Sequence, residues 1–221
     1  MTDYPLHLRE GHLFLEVDGD RWLIDTGAPA SFGRSGAVID GRRFEVGASS
    51  AGLDASSLSA MVKVECQGLF GADVLSHFDW ILDPGHGVAR VSAGELTHQG
   101  GRVPVDMFMG IPIVEADIGA GTFRMFFDTG AQISYLEDGR LAPWPATART
   151  TDFYPGIGEF EVEVHEVEVG LGGARRQVRC GALPAQLQGM LTMAGAAGIV
   201  GNEILNDRVT GYFPRRRLLV T

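Results

Sequence analysis

Two copies of one tetrapeptide stand out among the residues able to do chemistry. Asp25-Thr26-Gly27-Ala28 and Asp128-Thr129-Gly130-Ala131 each follow an apolar run, Trp22-Leu23-Ile24 in the first case and Met125-Phe126-Phe127 in the second. A lone Asp-Thr-Gly is an ordinary strand-end turn, because Asp and Gly both suit tight backbone geometry. Two copies in similar surroundings carry more weight. A pseudo-twofold axis relating them would bring the carboxylates of Asp25 and Asp128 face to face. Two carboxylates about 3 Å apart cannot both ionise, so they share one proton. One can then act as general base toward a water while the other acts as general acid toward a carbonyl oxygen.

A second element follows each tetrapeptide in the same order. Gly68-Leu69-Phe70-Gly71 continues into Ala-Asp-Val-Leu, and Gly198-Ile199-Val200-Gly201 continues into Asn-Glu-Ile-Leu. Repeats of this kind identify a chain of two homologous parts. The expected division is residues 1–100 and 101–221, joined near Ser92–Arg102. Leu13–Val17, Arg21–Ile24, Arg43–Val46, Ile111–Ile118 and Phe123–Phe127 are short β-type runs bounded by Gly and Asp. Asp18-Gly19 and Asp40-Gly41 read as hairpin turns. Only Ala-Asp-Val-Leu-Ser-His-Phe and Asn-Glu-Ile-Leu-Asn-Asp-Arg look helical, so an all-β fold is expected. The second part is longer between its two elements. Its excess contains Asp152–Gly170, where Phe160, Val162 and Val164 alternate with Glu161 and Glu163. The alternation slips at His165-Glu166, which predicts a β-bulge there. The equivalent stretch of the first part, Ala48–Ala60, is polar and lacks alternation, and a flexible connection is expected.

Composition narrows the function. Of 221 residues 31 are glycine, with 45% hydrophobic and 21% charged, which fits a turn-rich globular chain. A net charge of −10 opposes binding to nucleic acid or to an anionic membrane surface. No apolar run is long enough to span a bilayer and the N-terminus has no apolar signal core, so a cytoplasmic protein is expected. Cys66 and Cys180 are isolated and read as structural thiols. The six histidines form no metal-binding pattern, and no nucleotide-binding glycine motif or nucleophile elbow occurs, so neither metal nor cofactor is expected. Arg215-Arg216-Arg217 reads as a solvated strand edge.

With its two Asp-Thr-Gly-Ala cassettes, each paired with an apolar-apolar-Gly segment, the sequence resembles the aspartic proteases of the retropepsin and pepsin clan. The resemblance implies a bilobal acid-protease fold, two β-barrel-like lobes with a cleft between them. It implies an aspartic endopeptidase in which Asp25 and Asp128 form the catalytic dyad. Thr26 and Thr129 would bond across the lobe interface, and Gly27 and Gly130 would turn the backbone beneath the carboxylates. Ala28 and Ala131 match the retroviral-type tetrapeptide. They offer no hydroxyl to the carboxylates, where the pepsin type carries one, so a dyad that keeps its proton nearer neutral pH is expected. The hairpin Tyr154–Val169 resembles the retroviral flap, with Gly156, Ile157 and Gly158 at its tip. Phe153 and Tyr154 fit either a substrate pocket or core packing. A single chain carrying both cassettes implies a monomer acting on a peptide or protein substrate. A second reading is a pseudo-protease that binds peptides or a partner without cutting.

Overall fold

The computed structural model describes residues 1–137, 139–154 and 158–221. Strands account for 52% and helices for 13%, which places the chain in the all-β class.

The first part opens with three antiparallel strands, Thr2–Arg9, His12–Val17 and Asp20–Ile24. The second opens in the same way, with Arg102–Phe108, Ile111–Ile118 and Gly121–Phe127. Glu10-Gly11, Asp18-Gly19, Asp40-Gly41 and Met109-Gly110 each place two consecutive residues at positive φ. That backbone matches the twist of the strands it joins. Each third strand runs into an Asp-Thr-Gly-Ala loop and lies parallel to a later strand, Gly68–Phe70 or Gly198–Val200. A short strand after the loop, Phe32–Gly33 or Ser134–Leu136, pairs antiparallel with that same later strand. This packing explains the repeated glycines. A Cβ at Gly68 or Gly198 would stand 2.1 Å from the carbonyl oxygen of Phe32 or Tyr135 respectively. Any larger residue would push the strands apart.

The two parts are joined through a six-stranded antiparallel sheet. Its order is Thr2–Arg9, Val88–Ser92, Asp79–Asp83, Thr210–Phe213, Leu218–Val220, Arg102–Phe108. The central pairing sets Trp80 opposite Tyr212 and Leu82 opposite Thr210, with three strands from each part on either side. One buried cluster includes Trp22, Phe70, Trp80, Phe127, Val200 and Tyr212, so the main core is continuous across the parts.

Arg217 is exposed as expected of a solvated edge, but Arg215 and Arg216 are not free in solvent. Asp79 is wholly buried, and its carboxylate accepts from Arg215 Nη2 at 3.0 Å and from Arg216 Nη2 at 2.5 Å. The same two guanidiniums donate to the carbonyls of Ala93, Gly94 and Leu96, while Arg216 also lies over the ring of Phe213. Arg215 and Arg216 therefore fasten the connection between the parts to the shared sheet. Their partner lies far upstream, so charge pattern alone does not reveal it.

Outside the repeat, the first part adds a hairpin, Ala37–Ile39 with Arg42–Phe44, a short ribbon, Ser49–Ser50 with Leu53–Asp54, and a helix, Ala55–Val62. The expected flexible connection is thus an ordered wall. Asp54 caps the helix by accepting the amides of Ser56 and Ser57, and Ser57 Oγ accepts Asp54 N–H in return. Leu58 and Val62 are buried from this helix, at the i, i+4 spacing of one face. The second part adds strands Ala146–Tyr154, Gly158–Leu171 and Ala174–Ala182 and a helix Ala185–Ala194 that buries Leu187 and Leu191. Asn202–Leu205 is only a 3₁₀ turn. The extra residue near His165 is Thr147 on the neighbouring strand, not a bulge at His165-Glu166. Gly158–Leu171 itself runs unbroken. Its buried residues change parity because Val162 packs in one apolar cluster and Val167 and Val169 in another.

Removing the buried carboxylate in Asp79→Ala should lower stability by about 2–4 kcal/mol, since both guanidiniums lose their buried partner but keep some access to water. Equilibrium urea unfolding measures this. Asp3→Ala, at the exposed pair with Arg90, should leave the midpoint nearly unchanged.

Candidate active site

Both carboxylates are delivered by strand ends. Asp25 N–H donates to the Phe70 carbonyl at 3.0 Å, and Asp128 N–H donates to the Val200 carbonyl at 2.9 Å. The far end of each loop is tied as well, through Ala72 N–H to the Ala28 carbonyl (2.8 Å) and Asn202 N–H to the Ala131 carbonyl (2.9 Å). Buried Ser31 and Ser134 accept the amides of Gly71 and Gly201 at 2.8 and 3.0 Å. Each loop is therefore fixed by the strand that packs behind it.

The two loops also interlock. Thr26 Oγ1 donates to the Phe127 carbonyl at 2.6 Å and accepts Thr129 N–H at 3.0 Å. Thr129 Oγ1 donates to the Ile24 carbonyl at 2.8 Å and accepts Thr26 N–H at 3.0 Å. Both threonines are buried, and these four bonds satisfy their hydroxyls within the protein. Rotation of one loop against the other would break all four.

Each carboxylate rests against the glycine of the opposite loop. A Cβ on Gly27 would lie 2.3 Å from Asp128 Cγ, and one on Gly130 would lie 2.4 Å from Asp25 Cγ. Within its own loop, Asp25 Oδ1 accepts the amides of Gly27 and Ala28, each at 2.9 Å. Asp128 Oδ1 accepts those of Gly130 and Ala131 at 2.9 and 3.2 Å. Ala28 and Ala131 thus contribute backbone donors to the carboxylates. Burial raises the pKa of Asp25 well above the ordinary carboxyl value, and the neighbouring charge of Asp128 raises it further. Burial raises Asp128 as well, against the hydrogen bond with Asp25 and the loop amides that favour its anion. The two carboxyls are close enough to perturb each other, so their titrations are linked and a proton is held to higher pH than on a free carboxyl.

The pair opens on a cavity of about 480 Å³ lined from both parts of the chain. Leu23, Phe32 and Met61 contribute from the first part, and Tyr135, Phe153 and Tyr154 from the second. Phe153 and Tyr154 end the strand Ala146–Tyr154, paired with Glu159 and Gly158. Tyr154 both lines the cavity and packs on the apolar cluster around Ile111 and Leu187, so pocket and core roles coincide. Gly158 sits at φ +90°. Gly156 and Ile157 lie outside the described residues.

Three further cavity residues, Tyr135, Asp152 and His12, were not among those expected. Tyr135 donates its hydroxyl to Asp152 Oδ2, while Asp152 Oδ1 accepts Phe153 N–H at 2.7 Å. Burial, reinforced by Asp152, holds the Tyr135 phenol protonated far above its usual range. Tyr135 was traceable, since it follows Ser134 as Phe32 follows Ser31 in the other cassette and both line the cavity. His12 and Asp152 carry no such signal. Among the described residues no group of three or more His, Cys, Asp or Glu side chains is placed to hold a metal ion. Among the same residues no helix is long and apolar enough to cross a membrane. No model of a known protein family matches the sequence, and no curated protein matches it either.

The pair has a stability signature. A carboxyl whose pKa is raised on folding favours the folded state below its unfolded pKa, and that advantage is lost as pH rises through the folded pKa. Asp25→Asn removes the penalty carried at high pH. It should therefore raise the thermal midpoint at pH 7, with the gain shrinking toward zero below about pH 3.5, near the unfolded carboxyl pKa. Calorimetry across that range checks the sign.

Proposed function

We propose that this protein is an aspartic endopeptidase of bilobal acid-protease architecture, cutting extended peptides in the cavity between its two parts. The observation that carries the reading is the reciprocal seating of Asp25 on Gly130 and Asp128 on Gly27, locked by Thr26 and Thr129. This is the arrangement needed to hold two carboxyls close with one proton between them. A water bound between them loses a proton to the ionised carboxylate and attacks the scissile carbonyl carbon. The carbonyl oxygen takes the proton from the other carboxyl, giving a neutral tetrahedral gem-diol. The first carboxyl then protonates the leaving nitrogen as the C–N bond breaks, and the second recovers a proton from the collapsing diol. The pair ends as it began, with one proton, and no covalent intermediate forms.

The strand Ala146–Tyr154 supports a peptide substrate. Among the described residues it pairs only with Gly158–Leu171, and its residues Thr150–Tyr154 line the cavity. Its second edge therefore offers backbone groups to an added strand, the commonest way to hold an extended peptide without regard to its sequence. Apolar walls on either side take alternate side chains. Both aspartates belong to one chain, so the working unit is a monomer.

Incubation with a mixed peptide library tests the reading. Cleavage should be reduced by about 10³-fold or more in both Asp25→Asn and Asp128→Asn, because each removes one of the two proton-transfer roles. The monomer should retain full specific activity on dilution. Saturable peptide binding with no cleavage at any pH would instead identify a binding module.

A further inference from the structure

His12 lies at the cavity, at the point where the first part of the chain grips the second catalytic loop. Its Nδ1 is 3.2 Å from the Gly130 carbonyl, which can only accept, so Nδ1 carries the proton. Its Nε2 is then an acceptor, and Gln132 Nε2 donates to it at 2.7 Å. The second hydrogen of the same amide goes to the Glu10 carbonyl at 2.7 Å. Asn202 Nδ2 completes the grip, donating to the Gly11 carbonyl at 2.8 Å and to Thr129 at 3.2 Å. The turn Glu10-Gly11-His12 is thus bonded to three sites on or behind the Asp128 loop.

Among the described residues, the other half of the pseudo-symmetric frame shows no equivalent bonds. There Met109-Gly110-Ile111 occupies the turn, with Ile111 where the first part has His12. Ala72 and Pro29 stand where the second part has Asn202 and Gln132. A Cβ on Gly110 would meet only the methyl of Ala72, at 3.6 Å. A frame that works on two equivalent loops therefore carries a polar clamp on one of them alone.

We propose that His12, as a neutral imidazole, is a positioning residue for the Asp128 loop, and that its protonation weakens the grip on this loop so that activity falls on acidification. The activity part rests on the peptidase reading. A proton on Nε2 would face the Gln132 N–H across 2.7 Å, donor against donor. The amide could answer only by turning, which strips the Glu10 carbonyl of its partner. The turn then loses the Gln132–Glu10 bond, one of its ties to the Asp128 loop, while the bonds from Nδ1 to Gly130 and from Asn202 remain. The charged groups facing the ring are Glu10 on its own turn and Asp152 on the flap-side strand, and both favour the cation. Burial works the other way and dominates, so the ring stays neutral to lower pH than an ordinary histidine. The device sets an acid limit on a site whose dyad alone would tolerate more acid.

The test uses the intact chain. Nitrogen-15 NMR of the imidazole from about pH 8 down to 4 should show the Nδ1–H tautomer at neutral pH and a titration below the usual histidine value. The amides of Gly130, Ala131 and Gln132 should shift with the same midpoint. An Nε2–H tautomer, or loop amides that ignore the titration, would overturn the proposal. The pH–rate profile gives the second readout. In His12→Gln, which keeps an uncharged donor and acceptor, the acid limb of kcat should move down by about one pH unit, roughly tenfold in relative rate at the former midpoint. An acid limb unmoved by the substitution would also overturn it. Absence of cleavage by the native chain at every pH would refute the peptidase reading and leave the NMR result to decide the role of His12.

Discussion

Two carboxyl groups pressed together out of bulk water are unstable unless something outside them holds them there. Like charges repel, and burial disfavours each anion, so Asp25 and Asp128 would separate or hydrate if their loops could turn. The four bonds of Thr26 and Thr129 remove that freedom, because each hydroxyl serves the backbone of the opposite part. The rest of the frame follows from this lock. Glycines at 27 and 130 are required by the approach of the carboxyls, and the glycines at 68 and 198 are required by the strands that hold the loops from behind. The six-stranded sheet then fixes the distance between the two parts.

On this near-symmetric frame the cavity is built asymmetrically. One side is closed by the long hairpin around Tyr154, which packs on the cluster of Ile111, Leu187 and Ile199. The other is closed by the helix Ala55–Val62, through Leu58 and Met61. The polar grip around His12 is likewise confined to one loop. A symmetric dyad can treat either carboxyl as the acid. Unequal walls and an unequal clamp give the two carboxyls different surroundings.

The parts of the molecule written twice were the parts legible in the sequence. Asp-Thr-Gly-Ala and Gly-apolar-apolar-Gly recur because each answers a steric demand that both halves share, and a repeated demand leaves a repeated string. The strands beside them were readable from alternation and from Asp-Gly turns. The short helix Ala72–Leu75 falls in a stretch that reads as helical, but the two longer helices were not legible. Ala55–Val62 hides in a serine-rich stretch, although Asp54 and Ser57 spell a capping box, and Ala185–Ala194 begins at a proline with no side-chain cap. Asp79 with Arg215 and Arg216 was invisible for a different reason: its members are far apart in sequence, and a buried carboxylate paired at long range leaves no local pattern. Of the cavity, the dyad and its loops could be read. His12 and Asp152 could not, because nothing in a lone histidine or aspartate announces its neighbours.

The shared proton is the claim on which the account rests, and carboxyl carbon-13 NMR of aspartate-labelled protein observes it directly. Asp25 and Asp128 should titrate together, each resonance reporting both steps, with the upper step displaced well above the usual carboxyl value of about 4. Two independent titrations near that ordinary value would contradict the account.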